Sequence, residues 1–452
     1  MSRTSSNPFA RTVAVLITVL VVLCGGLFAL TALQGPRLSS VSADVAAGAP
    51  QQLRFVANQA VASVDVDQVR VDPAIPVSVA VSGKVITVQF TTPLHYGEHY
   101  TVTVDGVRSP ARDQESTFTH SFSTVQPRLL VLQRDAAGDR IVEAGIGTAE
   151  KQTLYTGQRI EEFVAIGRSF AVIEATDGGS VLRIVTPGED GVETVPLPGV
   201  GTVSMLHASD SGRTLGFVFS SADTTRSDAA VRTLYTIDLS VGGRDLVAVA
   251  DLTGEPMHVL NWFFVPGGET LIAQSIERSV SLVDPTGAAA PLPLGQYLTI
   301  SHVSADATTL TASDAFGFVA LDLASLADER LEPSLLQGAQ PYGGEVQALA
   351  DGVLQHVVVY NDSTLRFDDY LVVDDGVVSR IVYGRTGSPG SILSFRVSPN
   401  EQYAAVEIDP NVATSVPDGY RGNPRPNAVT TVIVELATGS VTASVPGLGL
   451  DW

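Results

Sequence analysis

The spacing of apolar and polar positions changes twice along this chain. Residues 12–33 form one apolar run of 22 positions without a charge. At 1.5 Å per residue a helix of that length crosses a hydrocarbon layer of ~30 Å. From about 37 to 126 the apolar residues instead recur with a period of two. Stretches 77–81 and 85–90 flank a turn at Ser82-Gly83, and 100–104 leads into a turn at Asp105-Gly106. That period marks half-buried strands, and the first pair predicts a hairpin. From 128 to 452 short strand-like stretches continue with long-range regularity, and no helical periodicity of useful length returns. The expected fold is therefore all-β behind one transmembrane helix: a tail at 1–11, the helix at 12–33, a compact β-sandwich at 37–126, and a repetitive domain at 128–452.

The regularity of the last region is specific. Segments 209–215 (SDSGRTL), 265–271 (VPGGETL), 304–310 (SADATTL) and 398–404 (SPNEQYA) each sit between two short apolar runs. Their spacings are 56, 39 and 94 residues, the last being two steps of 47. A period of about 40–50 residues with four strands per unit marks a β-propeller blade. Full blades are expected near 159–200, 201–254, 257–296, 298–340, 344–387 and 390–448, with 128–157 supplying part of another. Seven blades are favoured, with six or eight open. Strands near 129–133 are placed to share a blade with, or abut, the chain end at 429–445, so that no edge strand stays open.

A second phrase places an acidic residue and a Gly after an apolar strand, as at 234–242, 280–287 and 432–439. Asp can accept backbone N–H groups in such turns, and Gly takes the positive-φ position. A calcium loop would alternate several acidic residues, which these turns do not.

Composition bears mainly on location. The chain carries 27 basic and 48 acidic residues for a net charge of −21, which argues against a nucleic-acid partner. Arg3 and Arg11 precede the apolar run, so the short N-terminal side is expected to stay cytoplasmic and the bulk to be extracytoplasmic. A cleaved signal peptide and a lipoprotein anchored at Cys24 are the rival readings. The apolar run is longer than a signal peptide's, and Leu23 precedes the cysteine where a lipobox carries a small residue. Cys24 is the only cysteine, which excludes an intrachain disulfide and a cysteine zinc cluster.

Two resemblances follow from quoted residues. VTVQFTTPLHYGEHYTVTVDGV followed by STFTHSFST, with Tyr96, Gly97, Tyr100 to Val104, Gly106-Val107, Phe118, Phe122 and Thr124, resembles the bacterial Ig-like domain of surface-layer proteins. That resemblance implies a spacer or adhesive module. Ser398-Pro399-Asn400, with Asp210 and Asp306 at the matching acidic position, resembles the repeat of TolB-type and WD40-like bacterial propellers. With the apolar segment they suggest a membrane-anchored envelope protein of actinobacterial type, and 25 Arg against two Lys, Lys84 and Lys151, fits a GC-rich genome.

Candidate chemistry is sparse. No Gly-x-Ser-x-Gly, His-Glu-x-x-His, Walker or dinucleotide pattern occurs, and no cofactor or metal is expected. His207 and His302 each stand two residues before the shared Ser, so they hold one phase in the repeat and could approach a common channel. Insertion 409–429 interrupts a hairpin of the last blade and is expected to project as a loop, with Tyr420, Arg421 and Arg425 as candidate contacts. Glu161-Glu162 reads as a solvated turn. The expected function is a non-catalytic binding or scaffolding protein, held at the cytoplasmic membrane by 12–33 and meeting an envelope protein partner. The alternative is an extracytoplasmic hydrolase or lyase acting at the propeller mouth.

Overall fold

A computed structural model describes residues 35–452 apart from 46–50, 111, 128, 147–150, 189–190 and 241–244, together with positions 9, 12, 13 and 15–20. Those early positions are helical and exposed. No described helix is long and apolar enough to cross a membrane; most of 12–33, Cys24 included, lies outside the described residues. The chain divides into two compact units, Met1–Val125 and Gln126–Trp452.

In the first unit, alternation produces two antiparallel sheets around one core. One sheet orders Leu38–Asp44, Gln52–Ala57, Val85–Phe90 and Val77–Ser82; the other orders Val69–Asp72, His99–Ser109 and Arg112–Ser123. Leu53, Phe55, Ile86 and Val88 from the first meet Tyr100, Val102, Val104 and Phe118 from the second. The hairpin about Ser82-Gly83 pairs Ser82 with Val85. The turn expected at Asp105-Gly106 is instead a bulge between Val104 and Val107. Gly106 takes φ +65° there, and the Gln68 side-chain amide covers the carbonyls of Asp105 and Gly106 at 2.8 and 3.3 Å. The strand therefore continues to Ser109.

Among the described residues, the second unit contains seven four-stranded antiparallel sheets. Sheets II to VII take consecutive strands, beginning at Ile160–Ile166, Gly201–Ala208, Val259–Phe264, Thr299–Val303, Tyr342–Leu349 and Ser391–Val397. Sheet I is composite: Lys151–Gly157, Asp139–Ala144, Leu129–Gln133 and finally Leu448–Asp451, the last strand of the chain. The first strands of sheets II to V each pack against the first strand of the next sheet, and Leu448–Asp451 packs against that of sheet II, whereas fourth strands such as Val192–Val195, Leu292–Gln296 and Asp328–Leu331 are largely exposed. First strands thus surround the axis, and the sheets are the blades of a seven-bladed propeller closed by the chain end. Closure uses Leu448–Asp451 rather than 429–445, which forms the outer half of blade VII. Gly447 makes the crossing possible. It adopts φ +128°, and a Cβ there would lie 2.5 Å from Val131 and 2.6 Å from the Leu132 carbonyl.

The repeated heptad is one physical object. Ser209, Val265, Ser304 and Ser398 each donate their backbone N–H to the carbonyl five residues on, at 2.8 to 2.9 Å. In the three serine versions the hydroxyl also accepts the returning N–H of Thr214, Thr309 or Tyr403. The serines are buried, so the phrase encodes the turn between first and second strands.

Candidate functional site: the axial channel and its rim

Alternating strands fix which connections lie where. Turns between first and second strands, and between third and fourth, lie on one face of the ring. The second-to-third turns and the blade-to-blade links lie on the other, here called the link face.

Insertion 410–429 sits on the link face, and the structure corrects the expectation that it projects. Tyr420 packs over the Arg134 guanidinium, 3.9 Å from its ring centroid, with Arg159 at 5.0 Å. Its hydroxyl donates to both Asp139 carboxylate oxygens at 2.7 Å. Burial and the Asp139 charge push the Tyr420 hydroxyl well above its ordinary value. Arg134 forms a buried ion pair with Asp418 and donates to the carbonyls of Asn423, Ile160 and Glu161. Glu161 accepts the N–H groups of Arg421, Gly422 and Asn423. Glu161 is buried on a first strand, not part of a solvated turn, and Glu162 beside it accepts the Leu206 N–H at 3.0 Å. The insertion therefore fastens blade VII over blades I and II. Of the three sequence candidates, Tyr420 is engaged inside the chain and Arg421 has an exposed side chain. Arg425 is half-buried, with Nη2 4.0 Å from Glu407 and a buried Nε that lacks a hydrogen-bond partner.

Polar side chains from several blades face the axis. His207 in blade III and His302 in blade V are half-buried. Burial, aided by the nearby Arg396 guanidinium, pushes each imidazole down to about 4. Blades III, V and VII are not neighbours, so Arg396 acts on both rings across the axis. Asp210 and Asp306 do not join them: Asp210 accepts the Gly267 N–H at 2.7 Å, and Asp306 holds Ser304 and Thr308 in its own turn.

Nearer the link face lies a group absent from the sequence expectations. Glu345 on the first strand of blade VI is pushed up to about 7, by burial first and by the Glu407 charge, with His356, Arg425 and Arg396 pulling it back. Glu407 is buried and accepts from Ser394 Oγ at 3.0 Å and from the Gly449 N–H. His356 Nε2 lies 3.5 Å from Asp369. Burial pushes the Asp369 carboxyl up, but the neighbouring His356 imidazole and the Ile392 N–H, which donates to it at 3.0 Å, outweigh it and hold it below its ordinary value. Among the described residues no group of His, Cys, Asp and Glu could hold a metal ion. One signal for Arg396 was available: it precedes Ser398 by two residues, as His207 and His302 precede their serines. Glu345 and Glu407 lie on apolar stretches without a repeated phrase.

The link face also carries exposed apolar side chains. Tyr342, Tyr360 and Phe367 form an edge-to-face cluster on blade VI, with centroids 6.0 and 5.3 Å apart, beside exposed Leu365. Phe316 is 88% exposed at the tip of blade V, and Val200, Leu252, Ile276, Leu298 and Leu335 are exposed on other link-face connections. Among described residues, the opposite face has exposed large apolar side chains at Leu326, Val377 and Val378 and at the fourth-strand starts Val192, Leu292 and Val441, none of them aromatic.

No known protein family and no curated protein matches this sequence. Solved structures similar to the chain include TolB from Acinetobacter baumannii, at 12% identity and a TM-score of 0.38, covering 79% of this chain and 80% of that one. The Myceliophteria thermophila Cps50 (Swd1) β-propeller domain gives 12% and 0.39, covering 64% and 86%. Oligogalacturonate lyase from Vibrio parahaemolyticus gives 10% and 0.45, covering 68% and 86%. Such likenesses assign no activity, and the blade count rests on strand order alone.

Proposed function

We propose that this chain is a membrane-anchored extracytoplasmic binding or scaffolding protein without catalytic activity, whose propeller meets an envelope protein through its link face. The carrying observation is the uneven distribution of exposed apolar side chains between the two faces. Large apolar rings left in water forgo about 25 cal/mol per Å² of available burial, and contiguous exposed patches mark interaction sites. Tyr and Phe are also enriched at protein–protein contacts. On this reading 12–33 anchors the chain with its N-terminus in the cytoplasm, and the first unit serves as an Ig-like spacer. The test is native-host purification in mild detergent, comparing wild type with Phe367→Asp and with Val377→Asp. A defined partner should be lost with the first and kept with the second. Loss of the same partner from both, or from neither, overturns the link-face reading. Deleting 411–427 is the poorer test, because it removes the Arg134–Asp418 fastening.

One observation favours a second reading, a hydrolase or lyase at the mouth of the channel. Glu345, pushed up to about 7, has the poise of a general acid or base, and His356, Glu407 and Arg425 stand near it. Under this reading Glu345→Gln would abolish turnover while leaving partner capture intact.

A further inference from the structure

Deeper in the channel is a site that the link-face reading does not require. Arg396 reaches the axis with its side chain 50% exposed. Its Nη1 donates to Asp451 at 2.9 Å and to the Leu450 carbonyl at 3.3 Å. Among the described residues, its Nε and Nη2 make no hydrogen bond, and neither do the ring nitrogens of His207 and His302. Both histidines are half-buried and not sealed off. The three side chains occupy one register, two residues before the turn serine, in blades III, V and VII.

The surroundings hold this arrangement in place. Trp262 is fully buried, and its Nε1 donates to the Met205 carbonyl at 3.1 Å. It meets the His207 ring edge-to-face at 4.9 Å. Asp451, on the blade-closing strand, also accepts the Ala165 N–H, so the carboxylate that positions Arg396 is itself fixed by the first strand of blade II.

We propose that the channel binds a small oxyanion, a carboxylate or a phosphate, on the guanidinium fork of Arg396, with ring N–H groups of His207 and His302 completing the contact. The planar fork matches two oxygens of such an anion and gives charge-assisted bonds. A neutral imidazole keeps one N–H donor, so both rings can donate without adding charge to the channel. A carboxylate can come from a free acid or from the end of a peptide chain, and the probes separate these sources.

The full chain, labelled at histidine and held in detergent, is titrated with acetate, inorganic phosphate and N-acetylglycine while the imidazole signals are followed. At least one probe should shift His207 and His302 together and saturably. Tightest binding by N-acetylglycine identifies a peptide terminus, by phosphate a free phosphate, and by acetate a small acid. Arg396→Gln should weaken the preferred probe by about tenfold or more, or 1.4 kcal/mol. Arg396→Lys keeps the charge beside Asp451 but loses the fork, so it should be weaker than wild type even if the Gln variant does not fold. No joint saturable shift with any probe overturns the proposal, as does wild-type affinity in Arg396→Lys.

Discussion

Two imidazoles held neutral by their surroundings make stability depend on acid. His207 and His302 lie at about 4 in the folded chain, against an ordinary 6.5. As pH falls from 6.5 towards 4, the unfolded chain takes up protons that the native chain refuses, so stability drops across that window. Above 6.5 neither group contributes to the pH dependence. Glu345 acts in the opposite sense: raised from 4.5 to about 7, it favours the native state below 4.5, and that contribution disappears as pH rises through 7. A His207→Gln/His302→Gln variant should therefore show a shallower fall in melting temperature between pH 6.5 and 4 than wild type. An unchanged slope would contradict the assignment. The fastening of the insertion gives a second contrast. Arg134→Gln leaves Asp418 buried without its cation and should cost about 3–5 kcal/mol. Tyr420→Phe removes hydroxyl bonds to Asp139 while the Ile160 N–H still donates to that carboxylate, and should cost about 1–2 kcal/mol. Urea midpoints give the ranking, and a Tyr420→Phe loss larger than that of Arg134→Gln would refute it. At this scale the sequence was only partly informative. The shared phase of His207 and His302 was visible because each precedes a repeated serine. The partners of Tyr420 were not, because Arg134 and Asp139 lie some 280 residues away and meet it only once the ring closes.

At the scale of elements, the blades were readable because one turn is written repeatedly. The buried serine of 209–215, 304–310 and 398–404 orders its own hairpin through local hydrogen bonds, so sequence and geometry repeat together. The closing strand had no such mark: 448–451 is a short Leu-Gly-Leu-Asp stretch whose pairing depends on Leu129–Gln133 at the other end of the domain. Removing 447–452 leaves that strand as an open edge and strips Leu448 from its core cluster. The truncated chain should lose its cooperative thermal transition by calorimetry, and retention of a sharp wild-type transition would contradict closure by this strand. Close packing gives another prediction. A Cβ on Gly216 would lie 2.3 Å from the Trp262 ring, so Gly216→Ala must displace a fully buried indole. Overpacking of this kind costs about 1–3 kcal/mol, and a denaturant midpoint equal to wild type would count against it.

For the whole molecule, period-two patterning indicated an all-β chain and the recurrence of one phrase every ~40–50 residues indicated a propeller, since that architecture needs only short strands at regular intervals. The functional surface was not legible in the same way. Phe316, Leu365 and Phe367 are unremarkable in sequence, and they share a face only because second-to-third turns and blade links fall together once seven blades form a ring. Acidic residues outnumber basic ones 48 to 27, but turn carboxylates such as Asp251 and Asp314 on the link face and Asp284 and Asp322 on the other do not distinguish the faces. The central claim is that the link face binds a protein in the envelope. Its most direct test places a photo-crosslinking amino acid at position 367 or, as the control, at position 377, and irradiates intact cells of the native host. A discrete adduct from 367 that is missing from 377 is the predicted result. Equal adducts from both positions, or none from 367, would contradict the claim.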